Sequence, residues 1–165
     1  MKVGVLALQG AFAEHINALN RLGVDSVEIR EKEDIIGIDR IVLPGGESTV
    51  QGKLLHKTGL FGKVKDLIDE GMPTLATCAG LILLASNLSN DENTYLSTLP
   101  VTVRRNAFGR QLGSYEERGK VLDYDDFPMV FIRAPYIEST DKAVDTIAIS
   151  KDHTVGVKYK SQIAL

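Results

Sequence analysis

"LATCAGLILLA", from Leu75 to Ala85, decides how the chain is read. An apolar run of strand length meets an Ala- and Leu-rich run suited to a helix, and the only cysteine, Cys78, stands at the junction. A strand that turns sharply into a helix is the building unit of a parallel α/β sheet. Its turn residue lies at the carboxyl edge of the sheet, where the first N–H groups of the helix point into the same space. Small residues at Ala76, Ala79 and Gly80 permit such a turn. Locally, two readings of the thiol stand side by side. Free cysteine is among the most buried residue types and often does no more than pack. At an elbow it is instead a nucleophile, with its pKa lowered by the helix dipole and an oxyanion held by the N–H of Ala79. Elbows of this kind usually carry glycine two positions before the nucleophile, where this chain has Ala76.

The pattern extends upstream. "KVGVLAL" (Lys2–Leu8) reads as a strand, Phe12, Ile16 and Leu19 mark one face of a helix, and "SVEI" (Ser26–Ile29) follows Gly23 as a second strand. "DRIVLPGG" (Asp39–Gly46) gives a third strand ending in a Pro-Gly-Gly turn. A helical stretch through Leu55, a break near Gly59 and a second helix to Glu70 precede the strand "TLAT". Downstream, "VTVRR" (Val101–Arg105), "MVFIR" (Met129–Arg133), "DTIAIS" (Asp145–Ser150) and "TVGVKY" (Thr154–Tyr159) are joined by loops too short for crossover helices, so they read as antiparallel or mixed additions. The expectation is one three-layer α/β domain over residues 1–165. Its flavodoxin-like mixed sheet has a parallel core and antiparallel strands in the C-terminal half.

Composition narrows the function. At 165 residues the chain is long enough to bury roughly two thirds of its unfolded surface around one core. Nineteen Lys and Arg against 22 Asp and Glu leave a net charge of -3, so no basic footprint points to nucleic acid or to an anionic membrane. No apolar run approaches the roughly 20 residues that span a bilayer. A lone cysteine and an N-terminus that opens directly on a strand pattern suggest a cytoplasmic protein. One cysteine and three scattered histidines offer no metal-ligand spacing.

The second motif is "LPGGEST" (Leu43–Thr49). Gly45 and Gly46 allow close backbone approach to a ligand, and Glu47, Ser48 and Thr49 either orient that ligand or cap the next helix. Neither the phosphate-loop spacing nor G-x-G-x-x-G is present. Taken by themselves, Arg105 and Arg133 read as surface or salt-bridge residues, and Gln9 and Gly10 as the end of the first strand.

"LALQGAFAEH", "LPGGEST", "TCAG", "RRNAFGRQLGSYE" and "FIRAPYI" occur in this order. Over essentially the whole chain they resemble the glutaminase subunit family of pyridoxal 5'-phosphate synthase, a class I-type glutamine amidotransferase family; "RNAFGRQ" and "IRAP" are its most specific segments. The resemblance implies that Cys78 attacks the side-chain amide of glutamine, releases ammonia and forms a glutamyl thioester that water hydrolyses. It implies an oxyanion hole at the backbone of Gly46 and Ala79. It implies substrate contacts from Gly46, Glu47, Ser48, Arg105, Ile132 and Arg133. Gln9 and Gly10 would lie beside the site, where rearrangement on partner binding completes the oxyanion hole. The implied partner is the ring-forming synthase subunit, which receives the ammonia, and no cofactor is needed.

A cysteine amidase also needs a general base. By resemblance it is a His-x-Glu element after a strand matching "YKSQIAL" (Tyr159–Leu165), and the sequence ends at Leu165. His15, His56 and His153 read as solvated or structural residues. The expectation is therefore a domain incomplete at its C-terminal end: either a tail follows Leu165, the favoured explanation, or the protein is naturally truncated. The 165-residue species is expected to turn glutamine over little or not at all. A noncatalytic glutamine-binding or regulatory subunit is the alternative. A cysteine-dependent stress protein on a related sheet would explain the elbow but leaves "RNAFGRQ" and "IRAP" unexplained.

Overall fold

The computed structural model describes residues 1–107 and 114–165. The first half is a run of right-sized alternations. Strand β1 (Lys2–Leu6) is followed by helix α1 (Phe12–Arg21), β2 (Asp25–Ile29), a single 3-10 turn at Lys32–Ile35 and β3 (Arg40–Leu43). Helices α2 (Ser48–Lys57) and α3 (Leu60–Asp69) come next, then β4 (Thr74–Ala76) and α4 (Ala79–Leu84). The break between α2 and α3 falls at Gly59, whose φ of 71° lies in the left-handed region that a side chain disfavours.

The chain then continues as strands: β5 (Ala85–Leu88), β6 (Leu99–Arg104), β7 (Tyr115–Val121), β8 (Tyr124–Phe131), β9 (Tyr136–Thr140), β10 (Asp145–Ser150), β11 (His153–Tyr159) and β12 (Gln162–Ala164). Among the described residues all twelve belong to one sheet with the main order β2-β1-β3-β4-β12-β11-β10-β7-β8. The side branch β5-β6-β9 joins it through β9 and β11. Neighbours from β2 to β12 run parallel, and β12, β11, β10, β7 and β8 are successively antiparallel. The mixed sheet with its parallel core is therefore as the sequence led us to expect.

Helices cover both faces because the core strands are apolar on both. Val3, Val5 and Val42 pack under the Phe12, Ile16 and Leu19 face of α1. Leu6, Ile41 and Leu43 point the other way, into a core shared with Leu55, Leu60, Val64 and the wholly buried α4. This two-sided burial excludes water from the parallel strands, whose backbone groups pair within the sheet.

Some boundaries differ from the sequence reading. Strand β1 stops at Leu6, so Gln9 and Gly10 belong to a loop. Strands β6 and β8 end at Arg104 and Phe131, which leaves Arg105, Ile132 and Arg133 on the loops that follow. Strands β5, β7 and β9 carry no clean apolar alternation, and β7 and β8 form an exposed hairpin whose pattern of charges hides its pairing. Part of "RNAFGRQ", residues 108–113, lies outside the described residues.

Packing is tight where α4 crosses β3. A Cβ built on Gly80 would stand 2.2 Å from the carbonyl oxygen of Leu43, a backbone atom that cannot swing aside. Gly80→Ala should therefore destabilise the domain by about 3 kcal/mol, the upper end for overpacking. At about 2–4 °C per kcal/mol for a chain of this size, calorimetry should show a Tm lower by about 6–12 °C; an unchanged Tm would mean that the crossing is looser than described.

Candidate active site

Cys78 sits between β4 and α4 with φ 48° and ψ -100°, a conformation costly for a residue with a side chain. Neighbouring backbone holds it there. The N–H of Cys78 donates to the carbonyl of Leu165 at 2.7 Å, the N–H of Leu165 donates to Ala76 at 2.9 Å, and the N–H of Thr77 donates to Leu43 at 3.0 Å. Strand β12, paired in parallel with β4, thus fastens the elbow from one side while β3 fastens it from the other.

Burial pushes the Cys78 thiol above its ordinary pKa. The backbone N–H groups of Ala79 and Gly46 and the charge of Arg133 pull the other way, and Glu47 adds to the upward push. The expected lowering by the helix dipole is thereby corrected: α4 has only six residues, and desolvation of the half-buried thiolate outweighs what its first N–H supplies.

Two loops converge on the cysteine. In the loop after β3, the Cβ position of Gly45 is 3.6 Å from the Cβ of Cys78. The loop after β1 clasps this segment. The N–H of Ala11 donates to Gly45 at 2.9 Å, the N–H of Glu47 donates to Oε1 of Gln9 at 2.8 Å, and Nε2 of the buried Gln51 donates to Gln9 at 2.9 Å and to Pro44 at 3.2 Å. Gly10 has φ 99°, and a Cβ there would come within 2.0 Å of the Gly45 carbonyl oxygen, so only glycine allows this approach.

The result is a cleft of about 590 Å³ beside the thiol. Gln9, Gly46, Glu47, Ser48, Cys78, Arg105, Ile132 and Arg133 all line it, residues drawn from distant parts of the sequence. Gly10 stands behind Gly46, and Ala79 lies buried at the start of α4, with its N–H toward the sulfur. Ile82, Asn106, Val130 and Ala134 complete the wall; Asn106 and Ala134 belong to the segments "RNAFGRQ" and "IRAP", but the sequence alone does not single them out as site residues. Glu47, Arg105 and Arg133 give the cleft charged groups of both signs, and Cys78 brings the thiol into the same cleft. A second, smaller apolar cavity of about 230 Å³ reaches Thr77 and Cys78 from the side of Met129, Phe131 and Leu165.

Each of the three histidines has a contact of its own. His15 is half-buried with Nε2 3.2 Å from the hydroxyl of Thr77, and its burial lowers its pKa. His56 stacks on Phe61, and His153 stacks on Tyr136. The His15 contact ties α1 to Thr77, the residue before Cys78, a structural role that the sequence pattern did not locate. No group of three or more metal-binding side chains forms among the described residues, and no helix there is long and apolar enough to cross a membrane.

With this geometry in view, comparison with known proteins is direct. The sequence model of the SNO glutamine amidotransferase family matches residues 5–165. The chain is 52% identical to the pyridoxal 5'-phosphate synthase subunit PdxT of Desulfitobacterium hafniense, over 100% of this chain and 83% of that one. It is 51% identical to the subunit of the same name from Dehalococcoides mccartyi, over 99% of this chain and 87% of that one. A crystal structure described as a glutamine amidotransferase superposes with a TM-score of 0.92 at 42% identity, covering 98% of this chain and 87% of the other.

The pH behaviour of the thiol follows from its surroundings. A raised pKa keeps Cys78 neutral near pH 7, so its alkylation by iodoacetamide should rise with pH and reach its midpoint above the ordinary cysteine value of about 8.5. Arg133→Gln removes a charge that favours the thiolate and should move the midpoint higher still. A plateau already reached at neutral pH would contradict this account.

Proposed function

The chain belongs to the SNO glutamine amidotransferase family, and from that premise we propose that it is the glutaminase subunit of a pyridoxal 5'-phosphate synthase. The observation that carries the reading is the placement of Cys78 at a strained elbow, in one cleft with Glu47, Arg105 and Arg133. Glutamine has a matching shape. Its α-ammonium and α-carboxylate need charged partners of opposite sign, and its amide lies three bonds further along the chain.

In this reading the α-ammonium meets Glu47 and the α-carboxylate meets Arg133, with Gly46, Ser48, Arg105 and Ile132 shaping the rest of the pocket. The Cys78 sulfur, once deprotonated, forms a bond to the amide carbon, and the amide oxygen becomes an oxyanion. The N–H groups of Gly46 and Ala79 receive that charge, and one well-aimed donor of this kind stabilises such a transition state by about 3 kcal/mol. The C–N bond then breaks, the proton taken from the Cys78 thiol passes to the leaving nitrogen, ammonia departs, and a glutamyl thioester remains. Water adds to the thioester, the C–S bond breaks, and glutamate and the free thiol are regenerated. Gln9 and Gly10 sit where a small shift of their loop would change which N–H groups face the oxyanion.

Ammonia is mostly protonated at neutral pH and diffuses away, so direct handover to the ring-forming synthase subunit gives the hydrolysis its purpose. Pyridoxal phosphate is then the product of the complex and not a cofactor of this chain. A nucleophilic thiol also suits the reducing cytoplasm. A noncatalytic glutamine-binding or regulatory subunit is the second reading, favoured by the raised thiol pKa and by the contacts that His15, His56 and His153 make with Thr77, Phe61 and Tyr136.

Whatever glutamate formation the unaltered protein shows with the synthase subunit present should be lost in Cys78→Ala, by about a thousandfold or more where the rate is high enough to measure it, while calorimetry still detects glutamine binding. Acid quenching of the unaltered protein should trap one glutamyl group on Cys78. Binding without any such adduct would favour the second reading, and undiminished hydrolysis by Cys78→Ala would remove the cysteine from the mechanism.

A further inference from the structure

Arg105, on the wall of the cleft, is gripped by both its backbone and its side chain. A single side chain holds the backbone: Oδ1 of Asn90 accepts the N–H of Arg105, and Nδ2 of Asn90 donates to its carbonyl, each at 3.0 Å. The guanidinium donates through Nη1 to Asp91 and through Nη2 to Oε1 of Glu47 at 3.4 Å. Asp91 is itself oriented, because Asn93 donates to its Oδ1 from the backbone at 3.0 Å and from its side-chain amide at 2.8 Å. Arg105 and Asp91 are only 15% and 17% exposed, so solvent screens this pair far less than an ordinary surface ion pair.

We infer that Asn90 and Asp91 are positioning residues for the substrate cleft, fixing Arg105 so that it orients the Glu47 carboxylate without neutralising it. The inference rests on the reading of the cleft as a glutamine site. One guanidinium between two carboxylates leaves a net negative charge, and the carboxylate that lines the cleft is Glu47. That charge complements an α-ammonium. The α-carboxylate is left to Arg133, which forms no ion pair among the described residues. Without the Asp91 charge, Arg105 would be free to turn fully onto Glu47 and cancel the field that an ammonium group needs.

This arrangement predicts selectivity as well as affinity. Glutaramate carries the same amide and carboxylate as glutamine but has no α-ammonium. The test is protection of Cys78 from iodoacetamide by each ligand, in the unaltered protein, Asp91→Asn and Asn90→Ala, with melting curves and unprotected alkylation rates recorded for all three. In Asp91→Asn the glutamine concentration for half-protection should rise about tenfold, the loss of one oriented charge contact, while that for glutaramate stays within about twofold. Asn90→Ala should move glutamine protection in the same direction by a smaller factor. An equal loss for both ligands, or no change in glutamine protection in either variant, would overturn the inference. Should Asp91→Asn lose its cooperative melt, Asn90→Ala carries the same comparison between ligands. Failure of glutamine to protect the unaltered protein would instead overturn the reading of the cleft, and with it this inference.

Discussion

The strained elbow at Cys78 is the constraint on which the rest of the site depends. A residue with a side chain reaches φ 48° only if its surroundings hold it there, and here two strands and a helix do so. β3 accepts the N–H of Thr77, β12 accepts the N–H of Cys78, and Gly80 lets α4 lie directly on Leu43. Each contact is ordinary backbone hydrogen bonding or close packing. Together they aim one sulfur out of an otherwise apolar α4 and into a polar cleft.

The same arrangement explains why the thiol is not acidic at rest. Packing that makes the elbow rigid also removes water from the sulfur, and desolvation raises a thiol pKa more than two nearby N–H groups lower it. In the proposed function, chemistry begins when a base removes the proton and an oxyanion appears for those N–H groups to stabilise. The clasp between the loops after β1 and β3 adds a second condition, since the side chain of Gln9 occupies the N–H of Glu47. Rearranging that loop would alter the donor set beside the sulfur without disturbing the sheet beneath it.

Much of this was legible in the sequence where a local pattern carries a local physical cause. Valines and leucines on both faces of β1 and β3, the helical face of Phe12, Ile16 and Leu19, and the glycine at position 59 identify the parallel half. Cys78 between "LAT" and "AGL" marks the elbow. The later strands were harder to read because β7 and β8 are largely solvent-exposed and their pairing is set by the hairpin partner. The sign of the thiol shift was missed because it depends on burial, a tertiary quantity. Asn90 and Asp91, in a polar run that reads as an ordinary turn, acquire their role only when folding brings them against Arg105, fourteen or fifteen positions away.

The central claim is that this cleft receives glutamine with its amide at the elbow. A crystal structure of Cys78→Ala soaked with glutamine tests it most directly. The account predicts the ligand amide oxygen within hydrogen-bond reach of the Gly46 and Ala79 N–H groups, with the α-ammonium on Glu47 and the α-carboxylate on Arg133. Glutamine bound in the reverse direction, with its α-carboxylate at the elbow, or an empty cleft at saturating ligand, would contradict it.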